Sequence, residues 1–288
     1  MITFGQLQSR YLDLTKDSSS TNTTRGQNRI NEVNQAIISM KDWRFLDKER
    51  TVASVASQQS YQLPVDYGRL LGFWVVVGGV TYYPTEVNDM EYWQSLNSTS
   101  VSSNTTSHFY IIEDAIYLYP IPSSTAVTLH LFYKQKAKIM SASDYTTGTL
   151  SSTVNSRTVT GSGTTWTSAM AGRYIDIAGR FYEISTASST SITLVKYALD
   201  TTSAATYTLG DISPIPSDFH DLLLLGSIAS YYDFKGDKNT YRTEYEKRLL
   251  MLKNQYGGGQ KTSTQVLRRV NRSRVSLNNP NDYPRNLS

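Results

Sequence analysis

The sequence predicts an α+β protein: a helical core with an antiparallel sheet, an inserted small all-β domain and an extended C-terminal arm. Three observations carry this. Apolar residues step at helical spacing near both ends of the folded part, and they alternate with period two between Arg50 and Lys138. Between Asp144 and Leu209 roughly 26 of 66 residues are Ser or Thr, and glycines punctuate short strand-like runs. Beyond Tyr256 the chain reads Gly257-Gly258-Gly259 and then loses all globular pattern. The implied division is residues 1–143 with 212–259 as the core, 144–211 as the insert and 260–288 as the arm.

Taken in order, Phe4, Leu7, Tyr11, Leu12 and Leu14 follow a Thr3 cap and mark a first helix. Lys16–Asn22 is a polar loop. Thr24-Arg25-Gly26-Gln27 fits a capping box opening a second helix, with Ile30, Val33, Ile37 and Met40 as its stripe. Trp43 and Phe45 are placed to plug that helix against the next layer. Leu70–Tyr83 is a pair of apolar runs around Gly78-Gly79, a hairpin signal. Thr85–Leu96 reads as a short helix through Val87, Met90, Trp93 and Leu96. His108–Tyr119 reads as a second hairpin turning at Glu113-Asp114, and Val127, Leu129, Leu131 and Tyr133 alternate as the clearest strand.

In the insert, Val154–Thr160, Tyr174–Ile177, Phe181–Ile184 and Ser191–Val195 read as four strands of a small sandwich or barrel. A Ser/Thr linker without structure is the alternative, which the alternating apolar residues and Trp166 oppose. A closing helix follows Pro214-Ile215-Pro216, with Ser217 as cap and Phe219, Leu222, Leu223 and Ile228 as core. Gly236-Asp237 breaks it. Tyr241, Tyr245, Leu249, Leu252 and Tyr256 then step along one face of a last helix. Excising 141–211 would join Ile139-Met140 through Ile212 to Ser213-Pro214, so the insert reads as removable.

Composition excludes several classes. Apolar content of 39% and a mean hydropathy of −0.38 fit an ordinary core. No run approaches eighteen apolar residues, and the N-terminus lacks a signal-peptide pattern, so synthesis in the cytoplasm without a membrane partner is expected. Cysteine is absent, which removes disulfides, thiolate metal sites and thiol nucleophiles. Tyrosine is abundant at 21 residues, more than a core needs, and suits wet protein interfaces.

The pI near 9.0 has a local origin. The arm holds Lys261, Arg268, Arg269, Arg272, Arg274 and Arg285 against Asp282, while the whole chain is only +4, so the rest is near neutral. Glycine at 257, 258 and 259 makes a hinge. An arm of this composition buries too little apolar surface to fold alone and is expected to be ordered only by a partner. Val266, Leu267, Val270, Val275 and Leu277 interleave with the arginines, and Tyr283 follows. That alternation fits an extended strand laid along a protein better than a nucleic-acid clamp.

Motifs for catalysis are missing from the reading. His108, His130 and His220 are far apart, with no metal-ligand spacing, and His130 alternates with apolar strand residues as a solvent-facing side chain. There is no G-x-S-x-G, P-loop, H-E-x-x-H or dinucleotide fingerprint. Gly161-Ser162-Gly163-Thr164 is a turn without a following helix. Glu113 and Asp114 are adjacent, so they do not form a glycosidase pair. No enzyme activity and no cofactor is expected.

Tyr61-Gln62-Leu63-Pro64-Val65-Asp66, leading through an apolar strand to Thr81-Tyr82-Tyr83-Pro84-Thr85-Glu86-Val87, resembles the head-to-tail adaptor (connector) proteins of tailed bacteriophages. Phe219-His220-Asp221-Leu222-Leu223 through Tyr231-Tyr232 to Tyr241, Tyr245 and Leu249 is similar to that group's terminal helices. The resemblance covers roughly 1–140 and 212–260, and the insert departs from its smallest members. It implies a virion protein at the head–tail junction, a ring of usually twelve copies beneath the portal. The arm would run to the portal protein, tail or nozzle proteins would bind below, and genomic DNA would pass through the lumen without sequence preference. A tail-fibre or baseplate attachment protein, with three-fold symmetry, is the alternative. A cell-wall glycan hydrolase would need an acidic pair in a cleft.

Overall fold

The computed structural model describes residues 1–141, 144–236 and 240–257. Helix α1, Phe4–Thr15, opens with a reciprocal cap, since Thr3 Oγ1 accepts from the Gln6 amide while Gln6 Oε1 accepts from the Thr3 amide. Phe4, Leu7 and Tyr11 are buried, while Leu14 lies exposed at the rim. Helix α2, Ser20–Ser39, starts a turn before the predicted box. Ser19 is its cap, accepting from the Asn22 amide at 3.2 Å, and Thr24 donates inside the helix to the Ser20 carbonyl. A run of Ser, Thr and Asn offers capping chemistry at every position, so composition alone does not set the register. Ile30 and Ile37 are buried, but Met40 is exposed. Trp43 is fully buried and donates from Nε1 to the Ile37 carbonyl at 2.7 Å.

Two four-stranded sheets follow, sharing one core. The strands are β1 (Asp47–Ala53), β2 (Ser60–Gln62), β3 (Tyr67–Val77), β4 (Val80–Tyr82), β5 (Thr85–Glu86), β6 (His108–Ile112), β7 (Ala115–Tyr119) and β8 (Val127–Gln135), with helix α3 at Met90–Leu96. One sheet has the order β1-β8-β3-β4 and the other β2-β7-β6-β5. Phe73 and Phe109, one from each sheet, meet at 4.9 Å between ring centroids. In β8 the inward residues Val127, Leu129, Leu131 and Tyr133 are buried, as the alternation predicts. Gly78 and Gly79 both take positive φ (56° and 82°), which a two-residue hairpin turn requires. The predicted helix from Thr85 is shorter. Residues 85–86 pair in parallel with β6, and Asp89 starts α3 by accepting from the Glu91 amide. His130 does not project freely into solvent, because its ring stacks on Trp74 at 5.2 Å and its Nδ1 lies 2.9 Å from Glu49.

Residues 149–210 form a seven-stranded antiparallel sheet around a separate apolar cluster. Its strands are β9 (Thr149–Ser152), β10 (Thr158–Ser162), β11 (Tyr174–Ile177), β12 (Arg180–Ala187), β13 (Ser191–Leu194), β14 (Thr202–Ala205) and β15 (Leu209–Gly210). The predicted strand from Val154 is β10 shifted forward, and β9, β14 and β15 were not anticipated. The sheet order is β14-β9-β10-β13-β12-β11-β15. Its two edge strands are therefore consecutive in the chain, and the four steps from Ala205 to Leu209 span at most ~14 Å. The sheet has to curl until its edges approach. Trp166 fills the middle and donates to the Tyr207 hydroxyl at 2.7 Å.

The chain then returns to the helices. A single 3-10 turn at Ser217–Phe219 precedes α4 (Asp221–Lys235), so Ser217 does not cap the helix and its hydroxyl goes to Asp218. Pro214 and Pro216 stiffen this approach and delay the helix. Leu222, Leu223, Ile228 and Tyr231 are buried, and α4 packs against α1, α2 and α5 (Tyr241–Tyr256). Gly236 ends α4 in the left-handed conformation (φ 75°). Along α5, Leu249 and Leu252 are buried, and Tyr241, Tyr245 and Tyr256 pack against the same core.

Candidate functional site

The predicted arm residues, from Val266 to Tyr283, lie outside the described residues, as do Gly258 and Gly259. The point from which the arm departs is described. Tyr256 packs edge-on against Phe45 at 5.8 Å and Phe219 at 6.0 Å. Gly257 keeps a helical backbone (φ −89°, ψ −5°) and donates to the Lys253 carbonyl at 2.9 Å. The root of the arm is thus held by aromatic packing beside the Trp43–Phe45 plug.

Two charged clusters join the three apolar cores. At the first, Glu183 on β12 accepts from Lys48 Nζ at 3.0 Å and from Arg50, both on β1. Lys48 also reaches Asp66 at 2.8 Å, and the Tyr133 hydroxyl donates to the same carboxylate at 2.8 Å. Burial works to raise the Asp66 carboxyl, but the Lys48 ammonium, the Tyr133 hydroxyl and Arg50 outweigh it and hold it below the usual range. Burial likewise opposes the Arg50 charge, and Glu183 more than offsets this. Tyr174 on β11 lies in the field of Glu183 and Asp66; burial first, then those charges, push its hydroxyl up. Two cations and two anions therefore neutralise one another across a sheet-to-sheet contact.

At the second cluster the side chain of Asp211 is only 5% exposed and accepts from Lys138 Nζ at 2.9 Å and the Ser141 amide at 2.7 Å. Arg173 Nε stands 3.6 Å away, and the Asp211 carbonyl accepts from the Phe4 amide at 2.8 Å. Beside it Thr3 donates to Asp144 at 2.6 Å. The segment that leaves β8 and the segment that returns from β15 are thus clasped together over the start of α1. Spacing could not have revealed these partners, although Lys48 and Arg50, two apart on β1, do share one face.

His220 and the acids of the β6–β7 hairpin belong to neither cluster. His220 is buried, donates from Nε2 to the Ile215 carbonyl at 2.8 Å and accepts the Ile2 amide on Nδ1 at 3.3 Å. Burial holds its imidazole below the ordinary range. Asp114 accepts from the side chain of Gln62 at the tip of the β6–β7 hairpin, and Glu113 sits there at φ 52°. Among the described residues no group of three or more His, Cys, Asp or Glu could hold a metal ion, and no helix is long and apolar enough to cross a membrane.

No curated protein matches the chain. A solved structure, the flagellar hook junction protein FlgK from Burkholderia pseudomallei, aligns at 10% identity over 89% of this chain and 61% of its own length. The TM-score is 0.12, too low to bear on the fold, and the chain spans under two thirds of that protein. The family profile described as SU10 adaptor protein matches residues 2–153, which take in α1, α2 and both sheets of the sandwich. With more than half of its 288 residues inside that match, the chain belongs to the SU10 adaptor protein family.

Proposed function

We propose that this protein forms an oligomeric ring of twelve copies that joins the capsid portal to the tail and continues the DNA channel. As a member of a phage adaptor family it is a structural virion component that contacts other phage structural proteins. The observation that carries the finer reading is that family match, joined to a basic arm whose root is fixed on the helical core. In this reading the arm docks on portal, tail or nozzle proteins bind below, and DNA meets the lumen without sequence preference. Residues 144–211 act as an inserted domain and residues 1–143 with 212–259 as the ring wall. The protein works by contact and not by catalysis.

The test is electron microscopy of the protein purified with its portal, beside a version ending at Gly257. Twelve-fold rings seated on portal by the full chain, and none by the shortened one, are expected. Three-fold particles that ignore portal would overturn the ring and favour a fibre or baseplate anchor.

A further inference from the structure

One lateral side of the sandwich is built from a single continuous stretch, Val80–Tyr92. It supplies β4, the outer strand of one sheet, and β5, the outer strand of the other. Thr85 and Val87 donate to the Ser107 and Phe109 carbonyls, both at 2.9 Å. Parallel pairing of this kind turns the N–H and C=O of the intervening Glu86 to the open side. Large apolar side chains stand along the same stretch, with Val80 53%, Tyr83 78%, Met90 42% and Tyr92 46% exposed. Open strand edges with apolar residues beside them invite an added strand unless something covers them.

Charge selects what covers this edge. Between Arg69 and Lys134 the sequence has no lysine or arginine, yet it holds Glu86, Asp89, Glu91, Glu113 and Asp114. None of these five forms an ion pair among the described residues. Three of them lie in the edge stretch itself. The same chain carries the inverse pattern in its arm, where Arg268, Arg269, Arg272 and Arg274 interleave with Val266, Leu267, Val270, Val275 and Leu277. An edge left unpaired among the described residues, with acids and exposed aromatics, matches a basic strand with aliphatic residues in both charge and apolar content. The nine steps from Gly257 to Val266 span up to ~30 Å when extended, so the arm has a long tether on which to leave the helical core.

We propose that the open edge Val80–Tyr92 is a seat for this chain's own arm, with Val266–Leu277 added as a strand. Arg268, Arg272 and Arg274 share one face of that strand and lie beside Glu86 and Glu91, while Leu267, Val275 and Leu277 on the other face cover Tyr83 and Tyr92. This goes beyond the portal reading. The edge holds the arm before portal is met, so docking becomes a transfer between two protein grooves.

The chain has no cysteine, so an introduced pair is an unambiguous reporter. Full-length protein carrying Asn88→Cys and Ser273→Cys is treated with a short bismaleimide, and the linked peptides are counted by mass spectrometry. Linkage should be strong in about 50 mM salt and weaken several-fold in about 500 mM, because exposed charges are screened. Glu86→Lys with Glu91→Lys should abolish it, as should reversal of the four arginines to Glu. Combining both reversals should restore it. Asp89 is left intact because it caps α3, and unchanged melting of each variant shows that the fold survives. Absent linkage at low salt, or linkage indifferent to either reversal, overturns the seat. Portal co-sedimentation is read in parallel on the wild-type chain and the arginine-reversed chain. Portal binding without linkage sinks the seat alone; linkage without portal binding sinks the portal reading alone.

Discussion

Replacing Glu183 by Gln tests whether the sandwich and the seven-stranded sheet are held together by charge. The carboxylate is 12% exposed and serves two cations, Lys48 at 19% and Arg50 at 26% exposure. Glutamine keeps the shape and one acceptor but removes the charge, leaving Lys48 and Arg50 to share Asp66. Removing one partner of a fully buried pair costs about 3–5 kcal/mol, because the other charge stays desolvated. Partial exposure here lets water recover part of that, so about 2–3 kcal/mol is expected. The sign of the second substitution is more decisive. In Glu183→Gln with Arg50→Gln, only the balanced Lys48–Asp66 pair remains, so the double variant should be more stable than the single. Urea unfolding followed by the fluorescence of the four tryptophans and by far-UV circular dichroism measures both. A single variant within about 0.5 kcal/mol of wild type would refute the reasoning, as would a double variant less stable than the single.

Four further outcomes are expected. Because burial favours neutral His220, the unfolded chain binds its proton first as pH falls; stability is full above about pH 6.5 and declines below it. His220→Gln should flatten that decline in thermal melts between about pH 7.5 and 5. Gly226→Ala should destabilise, since a Cβ there meets Val33 and Tyr245 at 2.9 Å, and overpacking at about 1–3 kcal/mol exceeds the helix-propensity gain of about 1. Adding Val33→Ala should recover part of the loss in the same denaturation assay. Leu249→Asp buries an unpaired charge and should cost several kcal/mol, whereas Lys247→Asp on the exposed face should stay within about 1 kcal/mol; the reverse order in calorimetry would refute the packing of α5.

Much of the scaffold is legible where one physical signal acts alone. The alternation from Val127 to Tyr133, the Gly78-Gly79 turn and the Thr3 cap each need a single local cause, and each is found in place. Signals that several residues could satisfy were misplaced, as with Ser19 against Thr24. Strands without large apolar side chains were invisible, and Thr202–Ala205 is the clearest case. The clasps at Glu183 and Asp211 join residues far apart in sequence, which no periodicity encodes. The arm shows itself by composition, and its residues lie outside those the structure describes. The stretch without lysine or arginine between Arg69 and Lys134 is plain in the sequence, but the near-neutral charge of the whole body conceals it.

The hydrogen bond from the Ser141 amide to Asp211, across 70 positions of sequence, also bears on how the chain reaches its fold. Bringing α1, α2 and β8 together with α4 and α5 means closing that stretch as a loop. Closure entropy grows as about three-halves RT times the logarithm of loop length, so 70 residues cost about 2.5 kcal/mol more than a link of about four. A seven-stranded sheet that forms first holds its own ends side by side, and the rest of the chain then meets only a short tether. The order of events is thereby favoured: the sheet condenses early, and the terminal helices find their partners afterwards across a gap that it has already bridged.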